Sequence, residues 1–210
     1  FLKLIEEKNY SFYIKNKTKI FETDLNDLDD NLKIVQNLEN DISGIFWIAG
    51  YTGDSIEEYE KIDQAEKNIK INFLNPTIIL SEISKKIVKN NNSFIAAFTS
   101  VAGLRGRKKL IYYSSSKSGL IAFLSALRQK LFEDNILVTT IIPGYMSTKS
   151  FRNLKQKAPN FLVTNPLIVA SILKRSIDKR KEIVYINNFW RIIMSVIKII
   201  PERIFKRFSF

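Results

Sequence analysis

The sequence predicts an α/β protein built on a mostly parallel sheet with helices on both faces. Three observations carry this: short apolar runs bounded by turn residues alternate with longer amphipathic segments, the alternation persists along the chain, and no internal repeat or linker interrupts it. The 210 residues suit one domain with a substantial core. Strands are expected near Lys19–Glu22, Gly44–Ala49, Ser93–Thr99, Ile136–Ile142 and Glu182–Ile186. Helices are expected over Leu28–Leu38, Ile56–Lys89 with an early break, Leu110–Phe132 and Pro166–Arg180. In the third of these, Leu120, Phe123, Leu124, Leu127 and Leu131 recur at three and four, the spacing that buries one face of a long helix.

Composition narrows the chemistry. The chain has no cysteine and no histidine, which excludes disulfides, the usual zinc sites and any imidazole or thiolate mechanism. Tyr, Lys, Ser, Asp and Glu remain. The net charge of +12 is uneven: from Phe151 onward there are 13 Lys/Arg and 3 Asp/Glu. No run of apolar residues is long enough to span a bilayer. The charge therefore suits either an anionic surface or simple solvation, with no nucleic-acid partner expected.

The segment SVAGLRGRKKLIYYSSSK, Ser100 to Lys117, holds the candidate chemistry. Tyr113 and Lys117 lie four apart at a helix start, so their side chains share a face. A neighbouring ammonium favours the phenolate, and the spacing predicts a lowered Tyr113 pKa suited to proton transfer at a carbonyl or alcohol oxygen. Ser100 ends the apolar run FIAAFT, at the carboxyl end of a strand, where open α/β sheets bind ligands. The seven glycines form no Gly-x-Gly-x-x-Gly turn before a helix, and Gly103 and Gly106 read as loop glycines.

The same region resembles the short-chain dehydrogenase/reductase family, in which a Ser is followed thirteen residues later by the Tyr of Tyr-x-x-x-Lys. Here those residues are Ser100, Tyr113 and Lys117. Asn72 in IKINFLNP stands where the family carries a helix-borne Asn, and IIPGYMST, Ile141 to Thr148, resembles its Pro-Gly-x-x-x-Thr turn. Asp24 and Leu25 in FETDLND match residues bordering the adenine, and Ile48 to Tyr51 resembles the Asn-Asn-Ala-Gly motif with Trp47 and Ile48 in its first two places.

The resemblance implies a Rossmann-like fold, NAD or NADP as cofactor, and catalytic roles for Tyr113, Lys117, Ser100 and Asn72. It implies cofactor contacts from Asp24, Leu25, Ala49, Gly50, Lys117, Pro143, Gly144 and Thr148. The family's Gly-rich first βαβ unit has no counterpart here, so the chain reads as an N-terminally incomplete enzyme, or as a non-catalytic relative if nothing precedes it. A homodimer through the two long helices is the family's expectation.

From Tyr185 the chain is dense in Ile, Phe and Trp with Arg and Lys interleaved. The expected division is a catalytic domain over residues 1–187 and an amphipathic helical tail over 188–210. Arg191, Ser195, Lys198 and Glu202 mark a polar stripe, while Ile193, Val196, Ile197, Ile200 and Ile204 fill the other side. With Trp190, this pattern suits a helix in a lipid interface, with Pro201 kinking it or starting a second helix. FWRIIM, Phe189 to Met194, resembles the branch that reduces a 2-keto pentofuranose on a polyprenyl phosphate beside an oxidase partner. That implies a lipid-linked sugar substrate and a cytoplasmic protein peripheral to the inner membrane. A 3-oxoacyl thioester or lipid ketone is the alternative substrate.

Overall fold

A computed structural model describes residues 23–52, 59, 61–148 and 158–208. The strand expected at Lys19–Glu22 lies outside them, as does the start of the helix expected from Ile56. The elements are α1 (Leu28–Gln36), β1 (Gly44–Trp47), α2 (Ile62–Ile69), a π-helical turn (Lys70–Leu74) and α3 (Asn75–Ser84). They continue with β2 (Phe94–Phe98), a 3-10 turn (Val101–Leu104), α4 (Ile111–Lys130), β3 (Leu137–Ile142) and β4 (Tyr145–Met146). After a second 3-10 turn (Asn160–Leu162) come β5 (Val163–Thr164), α5 (Pro166–Asp178), β6 (Ile183–Tyr185), α6 (Asn188–Ile199) and α7 (Glu202–Phe205).

Four strands form one parallel sheet in the order β1-β2-β3-β6. The register runs from Gly44 beside Phe94 and Phe94 beside Leu137 to Thr140 beside Ile183. Every crossover is helical, as parallel pairing demands. β3 is buried along its whole length, and its continuous run LVTTII shows the both-faces burial of a central parallel strand.

Side-chain alternation then divides the core. Ile45, Trp47, Ile95, Ala97 and Val138 face α1, α3 and α4, where Ile79, Leu80, Leu120 and Leu124 complete the larger cluster. Ala96, Phe98 and Ile141 face the opposite side and meet Val169 and Leu173 of α5. Helices therefore cover both faces, as expected. The predicted stripe of α4 is the buried one: Leu120 and Leu124 are fully buried, and Leu127 and Leu131 are nearly so. Arg128, on the same helix, ties the sheet's far edge by donating to Val138 O (2.9 Å), Thr140 Oγ1 (3.0 Å) and Glu182 O (3.0 Å).

The long helix expected to reach Lys89 instead stops at Ser84, because Ile42 and Ile87 form a parallel bridge beyond it. Its middle is a π turn. Pro76 lacks the N–H that would bond Asn72 O, and its ring crowds that carbonyl, so the helix widens one turn before it. Asn75 N accordingly donates to Lys70 O, five residues back. The short β4/β5 pair was not expected from periodicity; two-residue strands carry too few side chains to show any.

Leu124→Ala is expected to cost about 3 kcal/mol, the removal of a fully buried side chain plus the cavity it leaves. Phe132→Ala, 75% exposed on the same segment, is expected to shift stability by less than about 0.5 kcal/mol. Urea denaturation of both variants checks the difference; equal losses would contradict the assigned face.

Candidate active site

Parallel strands end on one side of the sheet, and the chain leaves each of them into the same crevice. Ala49 and Gly50 follow β1, Ser100 follows β2, and Pro143 and Gly144 follow β3. The turns are joined by backbone: Thr99 N donates to Ile141 O at 2.8 Å and Val101 N to Pro143 O at 3.0 Å. Ser100 caps its 3-10 turn, its hydroxyl accepting from Ala102 N at 3.1 Å.

α4 brings Tyr113 and Lys117 to this crevice from below. Lys117 is 2% exposed and its ammonium donates to Phe98 O at 3.3 Å. It lies 5.8 Å from the centre of the Tyr113 ring. The approach of α4 depends on Gly103, which proves to be a packing glycine: a Cβ there would fall 2.9 Å from Lys117 O and 2.7 Å from its carbonyl carbon. Gly106, by contrast, faces open space and remains a loop residue.

Asn72 is fully buried and held from four directions. Its Oδ1 accepts from Tyr51 N (3.0 Å), and its Nδ2 donates to Tyr51 O (2.6 Å), Asn68 O (3.1 Å) and Asn68 Oδ1 (2.9 Å). The π turn places it there. A Cβ on Gly50 would sit 3.2 Å from both Asn72 Oδ1 and Lys117 Nζ, so Asn72 and Lys117 converge on the one strand-end residue with no side chain.

Burial sets the protonation of both key groups. It pushes the Tyr113 phenol up, with a hydrogen bond from Ser100 and the charge of Arg107 pulling partly against it. The expectation of a lowered phenol is therefore corrected for the free chain: the ammonium lies over the ring at 5.8 Å from its centre and donates to Phe98 O, and desolvation by burial dominates the phenol. Burial also lowers Lys117 from 10.5 to about 8.

Of the other predicted contacts, Pro143 is buried and Gly144 is half-buried against the tail. A Cβ on Gly144 would fall 1.9 Å from Trp190 Nε1, which donates to Leu162 O at 3.1 Å. Thr148 bonds back to Met146 O through its amide at 2.7 Å. Ala49 is buried beside Trp47 in the larger core cluster. Asp24 and Leu25 form a separate turn before α1. Asp24 O accepts from Asn31 Nδ2 (2.7 Å) and Leu25 O from Asn75 Nδ2 (2.6 Å), while the Leu25 side chain belongs to the core.

Asn75, Asn68, Gly103 and Trp190 all shape the site and were not singled out for it by sequence. Only the NxxxN spacing of Asn68 and Asn72, one helical turn apart, hinted at their contact. The interfacial placement of Trp190 is overturned, since it is 5% exposed and packs edge-on against Tyr145 with ring centres 5.3 Å apart. No cluster of acidic side chains able to hold a metal occurs among the described residues.

A family model described as short chain dehydrogenase matches residues 4–159, and the chain belongs to that family. It is 29% identical over 150 residues to the 3-oxoacyl-[acyl-carrier-protein] reductase FabG of Buchnera aphidicola subsp. Schizaphis graminum, covering 70% of this chain and 62% of that protein. It is 31% identical over 100 residues to an acetoacetyl-CoA reductase from Acinetobacter sp., covering 48% and 40%. The chain thus spans less than two thirds of the length of the curated relatives it matches. A solved short chain dehydrogenase from Burkholderia cenocepacia in complex with NADP superposes with a TM-score of 0.73 at 16% identity, covering 89% of this chain and 78% of that one. A 4-hydroxyisoleucine dehydrogenase complexed with NADH and succinate gives 0.68 at 21% identity, covering 85% and 82%.

Two outcomes follow from these contacts. Below pH 8 both folded and unfolded Lys117 are protonated and the fold carries the full burial cost; between about 8 and 10.5 the folded state loses its proton first, so stability rises with pH. The rise attributable to Lys117 is at most about 3 kcal/mol and should be missing from Lys117→Met in denaturation curves across that window. Gly144→Ala should displace Trp190 and cost roughly 1–3 kcal/mol, read as a lowered melting temperature with altered tryptophan emission.

Proposed function

We propose that this chain carries the catalytic machinery of an NAD(P)-dependent reductase that converts a ketone to a secondary alcohol. The observation that supports it best is the convergence of Ser100, Tyr113 and buried Lys117 at the ends of β2 and α4. A phenol raised by burial is protonated at neutral pH, the form that a reductase's acid requires.

The residues fit a nicotinamide at this end of the crevice. Gly50 leaves open the position that a side chain would fill beside Asn72 and Lys117, and the Pro143–Gly144 turn lies across from it. A bound reduced nicotinamide supplies a hydride to the carbonyl carbon. Ser100 Oγ then donates to the carbonyl oxygen and orients it, and Tyr113 Oη gives that oxygen its proton as the alkoxide forms. Lys117 holds a sugar hydroxyl of the cofactor and stabilises the phenolate left behind. Asn72, fixed by Tyr51 and Asn68, positions the water through which Lys117 is reprotonated. Asp24, Leu25, Ala49 and Thr148 complete the cofactor contacts.

For the substrate we favour the 2-keto group of a polyprenyl-phosphate-linked pentofuranose, taken up at the cytoplasmic side of a membrane. The aromatic and basic tail, whose Trp190 packs onto the Gly144 turn, supports this reading. A 3-oxoacyl thioester is the second reading, favoured by the FabG and acetoacetyl-CoA reductase relatives. A homodimer through α2–α3 and α4 is supported by exposed Ile62, Ile69, Leu74 and Phe132 on those segments; an oxidase partner is the alternative use of that surface.

In the intact protein, Tyr113→Phe should lower NAD(P)H oxidation with a ketone substrate by at least about 100-fold, the usual worth of a positioned acid. Turnover equal to the wild type would remove Tyr113 from the mechanism. Assay of a 2-keto pentofuranosyl phosphate lipid against an acetoacetyl thioester decides between the two substrates.

A further inference from the structure

The tail helix α6 has three faces. Trp190 and Met194 are buried, and Ile193 and Ile197 pack beside them against Val101, Ile142 and Tyr145. This inner face anchors the helix to the site. Glu202, just beyond α6, reinforces it: Arg105 donates to Glu202 Oε2 at 2.5 Å and to Ile200 O at 3.2 Å, and its guanidinium stacks 4.3 Å from the Phe205 ring centre.

With the inner face satisfied, a second apolar stripe has no cover among the described residues. Phe189, Ile192, Val196 and Ile199 recur at three, four and three, and are 54%, 64%, 56% and 79% exposed. Phe161, 58% exposed, extends the stripe through an edge contact with Phe189 at 5.5 Å. Arg191 and Lys198 lie on the third face, next to the stripe, and Arg203, Lys206 and Arg207 follow within two turns. The one carboxylate of the tail, Glu202, is already paired with Arg105.

We propose that the outer stripe of α6 docks on the surface of an anionic lipid bilayer, with Phe189, Ile192, Val196 and Ile199 entering the acyl boundary and Arg191 and Lys198 meeting the headgroups. Charge selects this occupant. A second copy seated on the same stripe would set Arg191 and Lys198 against their own equivalents, with no free carboxylate to answer them. An anionic bilayer answers both the apolar stripe and the adjacent positive charge. Because the inner face of the same helix covers the Gly144 turn, docking sets the crevice beside the bilayer. The inference builds on the membrane-borne substrate read above, yet its test is separate.

The purified full chain is sedimented with phosphatidylcholine vesicles, with and without phosphatidylglycerol. Binding is expected only with the anionic lipid and should fall as salt rises. The double variant Ile192→Glu/Ile199→Glu should bind at least roughly tenfold more weakly while keeping its circular dichroism and melting temperature, and Leu167→Glu, exposed on α5, should bind like the wild type. Wild-type protein left in the supernatant, or a double variant that still binds, overturns the proposal. So does a wild-type dimer, seen by sedimentation velocity, that the double variant makes monomeric. Vesicle binding with turnover of acetoacetyl thioester alone would leave the docking face standing and remove only the lipid-linked sugar.

Discussion

A lysine ammonium with 2% exposure needs fixed oxygen partners and a tight surround, and much of this structure is arranged to supply them. Lys117 reaches its place because Gly103 lets the turn after β2 rest on the α4 backbone. It keeps its charge by donating to Phe98 O at the end of β2. Asn72 closes in from α3's π turn, and Gly50 leaves the space between them open. Four separate segments thus meet at one buried charge. Shifting any of them would leave that charge without its carbonyl or open it to water, and either change alters the proton affinity of the ammonium itself.

The parts of this arrangement that repeat along the chain were legible in the sequence. β1, β2, β3 and β6 lie within a residue or two of the apolar runs that announced them, and the Leu120-to-Leu131 stripe is the face that α4 buries. Tyr113 and Lys117 share a helical face because four residues make about one turn. The parallel sheet and the layering of helices on both of its faces likewise matched. What did not show is what depends on approach between distant segments. Gly103 looks like any loop glycine until α4 is laid across it, and Asn75 looks like surface until Leu25 O arrives from fifty residues away. The π turn was half legible: Pro76 stands four residues after Asn72, and that spacing alone predicts a disturbed carbonyl.

The tail illustrates how far periodicity reaches. Its polar stripe at Arg191, Ser195 and Lys198 is exposed as the spacing required, and a new short helix does begin after Pro201. The apolar remainder, however, is two surfaces. Trp190 and Met194 point inward and Ile192 and Ile199 outward, a division that hydrophobicity cannot make because both sides are equally apolar. The inner residues are distinguished by what receives them, a glycine at 144 and a 3-10 turn at Val101.

The chain contains two tryptophans, and their placement is unequal. Trp47 ends β1 inside the larger core cluster, whereas Trp190 rests on the Gly144 turn. Reduced nicotinamide absorbs light in the band where indole emits. The protein therefore carries its own optical donor at the end of the crevice where hydride transfer would occur. A nicotinamide bound there as proposed would quench Trp190 emission, a signal that needs no added label.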